Sequence, residues 1–136
     1  QEYSNHSNRI IEKFKYMIEN NGNIKDSDKT MKFSQKLLKA RWEKSGPNIT
    51  ATSLQDDFVH WEQPRTLTVR EWARLQTFPD WYKFMGKRTT GSLRRAGNPR
   101  ELNFERDVPK YTQIGNAVPV SLAEQIGKHF AKILIN

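Results

Sequence analysis

The 136-residue chain contains no cysteine. Disulfides, thiolate metal sites and a cysteine nucleophile are therefore excluded. Only three histidines occur, His6, His60 and His129, and they are scattered, so no zinc site is expected. Apolar residues are scarce as well. They make up 35% of the chain, and the mean hydropathy is -0.86. No apolar run approaches the ~20 residues that a membrane-spanning helix requires. No secretory signal is visible. A chain of this length can bury one modest core, and its low apolar content implies a smaller-than-usual buried fraction or a surface that normally meets a partner. The first residue is Gln1 rather than Met, which fits a processed or truncated piece of something longer.

Positive charge is plentiful, and its placement is uneven. The formal net charge is +8. Residues 83–110 hold eight Lys/Arg against three Asp/Glu, and residues 1–46 hold ten against six. The intervening residues 47–82 are acidic, with three against five. Two basic segments flanking an acidic one would attract a polyanion such as DNA; a Lys-rich solvated surface is the plainer reading.

The pattern predicts an α+β chain, mostly helical with short strands. Ser4 to Asn20 reads as an amphipathic helix with Ile10, Ile11, Phe14, Met17 and Ile18 on one face, and Asn21-Gly22 as its stop. Residues 31–41 read as a short helix or ragged connection, and Ile49 to Leu54 as a short strand. Thr68-Val69-Arg70-Glu71 has the form of a capping box. It should open a helix with Val69, Trp72, Ala73 and Gln76 on one side and Arg70 and Arg74 on another. Pro79 is expected to end that helix. Residues 85–110 read as a long loop. Pro119 should start a last helix whose apolar stripe is Leu122, Ile126, Phe130 and Ile133. Trp42, Trp61, Trp72 and Trp81, with Tyr82 and Phe84, are read as core or interface residues.

Two blocks carry more information than the rest. Arg65, Leu67, Thr68, Arg70, Glu71, Ala73, Arg74, Leu75, Gln76, Phe78, Pro79 and Asp80 form the first. Gln113, Gly115, Asn116, Val118 and Pro119 form the second. In this order they resemble the ninth and tenth signature blocks of DNA (cytosine-5) methyltransferases. Asn5-His6 is similar to the element that follows the eighth block in many bacterial members. Residues 46–61, GPNITATSLQDDFVHW, are similar to the segment before the ninth, although Thr50-Ala51 departs from the usual Thr-aliphatic pair.

The resemblance implies a methyltransferase that uses S-adenosylmethionine to methylate carbon 5 of a flipped cytosine in double-stranded DNA. It also implies what is missing here: the FxGxG, Pro-Cys and Glu-Asn-Val blocks. The chain would then be the C-terminal part of a two-domain enzyme. Residues 1–110 would be the target recognition region, and residues 111–136 a turn and helix packing on the catalytic portion, in the same chain or a separate subunit. This chain by itself is expected to be inactive, with no catalytic residue. The alternative is a non-catalytic DNA-binding subunit or an autonomous basic module. A cytoplasmic, bacterial-type, DNA-associated setting follows from the resemblance, as does a restriction-modification role.

Gly115, Asn116 and Ala117 are the candidates for touching the cofactor. The glycine should permit a tight turn, and the amide offers a donor and an acceptor. Thr50, Arg65, Arg70, Arg74, Lys87, Arg88, Arg94, Arg95 and Arg100 are the candidates for DNA contact. For Arg65, Arg70 and Arg74 the favoured reading is scaffold: they would pair with Glu71, Asp80 or the backbone and hold the recognition region onto the catalytic half. Plain turn, strand and loop roles stand beside the others.

Overall fold

The computed structural model describes residues 2–29, 35–41, 46–49, 57–88 and 108–135. Four α-helices and one parallel pair of two-residue strands lie among them. The fold is α+β, helical with short strands, as the pattern predicts. The chain divides into two compact units. One comprises Gln1–Asn48 and Leu54–Thr68, the other Ile49–Ser53 and Val69–Asn136.

In the first unit, α1 spans Asn8–Glu19. It starts later than the apolar pattern suggests, because Ser4 and His6 turn aside to bond Thr66. The Thr66 backbone N–H donates to His6 Nε2 at 3.3 Å, and the Thr66 hydroxyl lies 3.2 Å from Ser4 Oγ. Helix α1 ends where Asn21-Gly22 predicts. Gly22 N–H donates to Met17 O at 2.7 Å while Asn21 takes φ 52, a left-handed cap that asparagine tolerates. Gly22 itself has φ +90, and a Cβ there would meet Leu37 Cβ at 3.2 Å.

Strand β1, Lys36–Leu37, falls inside the stretch read as helix or ragged connection. It pairs in parallel with β2, Phe58–Val59. Pairing across the chain overrode the weak local helix signal of its lysines and leucines. The strand expected at Ile49–Leu54 falls mostly outside the described residues; the pairing strand lies just beyond it. Phe14, Met17 and Val59 are fully buried, with Ile10, Ile24 and Leu37 packed on them. Burying each such side chain stabilises the unit by about 1.5–3 kcal/mol.

Val59 also bridges Thr66, closing the 60–65 loop. His60 N–H donates to Arg65 O, and His60 Nδ1 accepts from Glu62 and Gln63 backbone N–H groups at 3.2 and 3.1 Å. The imidazole thus satisfies the loop's own donors. Trp61 stacks on it at 3.9 Å between centroids.

In the second unit, α2 spans Val69–Leu75, α3 spans Lys110–Asn116 and α4 spans Val120–Ile135. Trp72 and Ala73 of α2 are fully buried, and Trp72 meets Tyr111 of α3 edge-on at 6.0 Å. Helix α2 starts directly after Thr68, where the capping residues predict. It stops before the proline acts. Phe78 N–H reaches back to Ala73 O and Thr77 N–H to Arg74 O, a left-handed C-terminal cap centred on Thr77 at φ 58.

Candidate cofactor turn and recognition segment

The end of α2 and the turn between α3 and α4 are stitched together by two consecutive residues. Gln76 is buried at the cap of α2. Its Nε2 donates to Ile114 O at 3.3 Å and to Ala117 O at 3.2 Å. Its backbone carbonyl accepts from Val120 N–H, the first residue of α4, at 3.1 Å. Thr77 Oγ1 accepts from Ser121 N–H at 2.9 Å and lies 3.0 Å from Ser121 Oγ. A helix ends with carbonyls, and the next begins with N–H groups, that lack partners in their own helix. Gln76 and Thr77 supply partners to both.

Between the two carbonyls held by Gln76 lie Gly115 and Asn116. They are the last two residues of α3, not a free-standing tight turn. Positive-φ glycines among the described residues are Gly22 and Gly86, so Gly115 is not there for a left-handed angle. It is buried. Asn116 is exposed, Ala117 half-buried and Val118 exposed. The three expected cofactor residues therefore sit together at one edge, with an amide presented outward and an apolar side chain beside it. That chemistry fits one wall of a pocket for an amphipathic, zwitterionic nucleoside.

From the middle of α3, Gln113 Nε2 donates to Val108 O at 2.8 Å and to Met85 O at 3.0 Å. Lys110 N–H donates to Lys87 O at 2.9 Å. One amide thus ties the two chain stretches that flank the basic segment. Lys87 is exposed and Arg88 half-buried, both on the incoming stretch. Thr50, Arg94, Arg95 and Arg100 lie outside the described residues.

The three arginines of the first block are committed within their own units. Arg65 donates to Gln63 Oε1 and to Thr66 O, with its guanidinium 4.9 Å from the Tyr3 ring centroid. Arg70 donates to Pro79 O at 3.1 Å and Tyr82 O at 2.5 Å. Arg74 forms a two-point fork on the Asp80 carboxylate at 2.9 and 2.7 Å. The hydrogen bond from Arg74 holds the Asp80 carboxyl below its ordinary range, and Asp80 raises Arg74 in turn. Arg70 and Arg74 brace the Pro79–Tyr82 turn.

The aromatic residues divide. Trp72 is core, while Trp61 is partly and Trp81 largely exposed. Trp42 lies outside the described residues. Phe78, Tyr82 and Phe84 form a cluster with centroids 4.9–5.1 Å apart. Among the described residues no His, Cys, Asp or Glu group could hold a metal ion, and no helix is long and apolar enough to cross a membrane.

Sequence reasoning missed Gln76, Thr77 and Gln113 as organisers. Their presence within the two blocks was the signal. Their partners are distant in sequence, so local spacing did not show what they join.

Within the second unit, residues of both blocks from Arg70 onward are joined through Gln76 to the turn between α3 and α4. The C-5 cytosine-specific DNA methylase family matches residues 1–132, and the chain belongs to that family. The type II methyltransferase M.DdeI of Desulfomicrobium norvegicum is 41% identical over 109 residues, which cover 76% of this chain and 23% of that protein. M1.HphI of Haemophilus parahaemolyticus is 31% identical over 99% of this chain and 32% of its own length. M.AquIB of a Picosynechococcus species is 30% identical over 99% of this chain and 88% of its own length. This chain thus spans a third or less of the first two relatives but most of the third. No solved structure matches. The methyl donor of this family is S-adenosylmethionine.

Proposed function

We propose that this chain is the C-terminal, DNA-recognising part of a DNA (cytosine-5) methyltransferase that moves a methyl group from S-adenosylmethionine to cytosine carbon 5. The nucleophilic cysteine lies outside it. Residues 1–110 carry target recognition, and residues 111–136 provide the cofactor edge and a helix that packs on the catalytic portion. The observation that carries this reading is α4. Its stripe of Leu122, Ile126, Phe130 and Ile133 stands 46–58% exposed. Apolar surface of that extent on a helix calls for a cover. The helix that carries it follows the Asn116 turn directly in the chain, as a cofactor wall completed by a second body would require.

Asn116, Gly115 and Ala117 form that wall. The bound cofactor supplies an electrophilic methyl group; this chain's part is to hold the cofactor's polar groups through the Asn116 amide. The basic residues Lys87, Arg88, Arg94, Arg95 and Arg100 face DNA phosphates or base edges, and Thr50 supports the backbone near the displaced base. Arg65, Arg70 and Arg74 act as struts.

A separate-subunit form of the same reading is favoured by M.AquIB. A matched length of 135 residues is 88% of that protein, so its own chain is only about 150 residues long. A polypeptide of this size can therefore be a unit of a type II methyltransferase. The test is incorporation of labelled methyl groups into DNA. The pure chain should give none, since no thiol exists to attack cytosine carbon 6. Activity should appear when a polypeptide carrying the Pro-Cys block is added or fused. Transfer by the pure chain would overturn the proposal.

A further inference from the structure

Gln76 belongs to the first block, and nothing in its local sequence marks it for the cofactor. Its geometry does. Its carboxamide nitrogen has two hydrogens, and both are used: one on Ile114 O, one on Ala117 O. Those carbonyls bracket Gly115 and Asn116. The same residue's backbone carbonyl holds the N–H of Val120. The exit of α3, the turn and the entry of α4 are therefore all referred to one buried side chain and its own peptide. Ala117 N–H closes on Ile114 O at 3.1 Å, a backbone bond that fixes one side of the turn. The amide fixes the other. Without it, the Ala117 carbonyl would lose its fixed direction, and the Asn116 side chain with it.

We propose that Gln76 is a positioning residue for the cofactor wall: it sets the conformation of Gly115–Ala117, and thereby cofactor affinity, without touching the cofactor. This rests on the reading of Asn116 as part of that wall. Gln113 offers the matched comparison. It is also a glutamine donating twice from Nε2, but it donates from the middle of α3 to Met85 and Val108, which precede the helix, and not to the turn that follows it. An effect specific to the turn should follow Gln76 and not Gln113.

The near-isosteric change Gln76→Glu replaces the donating amide by a carboxylate facing two carbonyl oxygens. A protonated carboxyl would restore one donor. In the complete enzyme, in one chain or reassembled from two, calorimetry at neutral pH should show S-adenosylmethionine bound about tenfold more weakly by Gln76→Glu. Duplex DNA affinity should change less than threefold. The cofactor deficit should shrink as pH is lowered from about 8 toward 5.5, while wild type changes in parallel with no such recovery. Gln113→Glu should leave cofactor affinity within about twofold. Should Gln76→Glu fail to fold, Gln76→Met keeps the length and removes the donor without adding charge, and the same cofactor loss is expected.

Failure of wild type to bind the cofactor would overturn the underlying reading of the wall. Wild-type binding with equal affinity in either folded Gln76 variant would overturn the positioning role alone. Equal cofactor losses in the Gln76 and Gln113 variants would also overturn it, since that would mark general loosening of α3.

Discussion

Thr77 shows how one residue can hold a strained angle for the sake of a distant contact. A β-branched residue at φ 58 is uncommon, and such strain costs of order 1–3 kcal/mol. Glycine is the usual choice at this cap position. Threonine brings a hydroxyl that accepts from Ser121 at the start of α4. Thr77→Val keeps the strain and removes the acceptor, so it should destabilise the unit by about 1 kcal/mol. Thr77→Gly loses the same bond and adds unfolded-state entropy, but relieves the strain, so it should lie closer to wild type. Denaturant unfolding of both variants decides this; a valine variant as stable as wild type would remove the hydroxyl from the account, and one as stable as the glycine variant would remove the strain. The Arg74–Asp80 fork gives a second test. Because the folded Asp80 carboxyl is held low by Arg74, its contribution is present above the ordinary carboxylate range and is lost as pH falls through the lowered value. Arg74→Gln should move the Asp80 carboxyl carbon titration upward in NMR, and acid unfolding should then begin at a higher pH. An unmoved titration would mean the fork does not persist in solution.

Helices report their own periodicity faithfully but not what covers them. The apolar spacing that predicts α1 also names Phe14 and Met17, which are fully buried. The same kind of spacing in α4 names Leu122, Ile126, Phe130 and Ile133, which remain exposed. The two sequences look alike in pattern because both faces are built to be buried; only α1 finds its cover among the described residues of this chain. The isolated chain should therefore self-associate through α4. Ile126→Gln with Phe130→Gln should lower its sedimentation-equilibrium mass toward the monomer. The double change should also weaken capture by a polypeptide carrying the catalytic blocks, and should leave the thermal midpoint of the isolated monomer little altered. An unchanged mass and unchanged capture would show that the stripe is not an interface.

Across the whole molecule, charge is the property that points to DNA. The larger positive excess of its two basic segments lies in residues 83–110, which Gln113 ties near both ends through Met85 and Val108. In the complete enzyme, replacing Arg94 and Arg95 with alanine should weaken DNA binding. It should also flatten the dependence of log affinity on log salt by about 0.9 for each phosphate that the protein no longer neutralises. The same slope in wild type and variant would make the segment a solvated insertion. Arg70→Ala should act differently: its guanidinium holds Pro79 and Tyr82, so stability should fall with little change in slope.

The stop of α1 at Asn21-Gly22, the starts of α2 and α4, which faces are apolar, and that two separated blocks carry the family signature were legible from the order of residues. These are local properties: caps, left-handed stops and 3.6-residue spacing act over a few residues. The start of α1, the end of α2 and the whole of α3 were not legible in this way. The short strands were not legible, because a two-residue parallel pair such as Lys36–Leu37 with Phe58–Val59 has no period of its own and exists only through its partner. Folding in three dimensions settled which side chains serve as struts and which remain presented. Gln76 meets carbonyls 38 and 41 residues away, and Thr77 meets Ser121, 44 residues away. A side-chain amide or hydroxyl takes whichever polar group folding brings within about 3 Å, and a buried donor must find one. That requirement, not any local pattern, turned Gln76 of the first block and its neighbour Thr77 into the frame for the turn of the second.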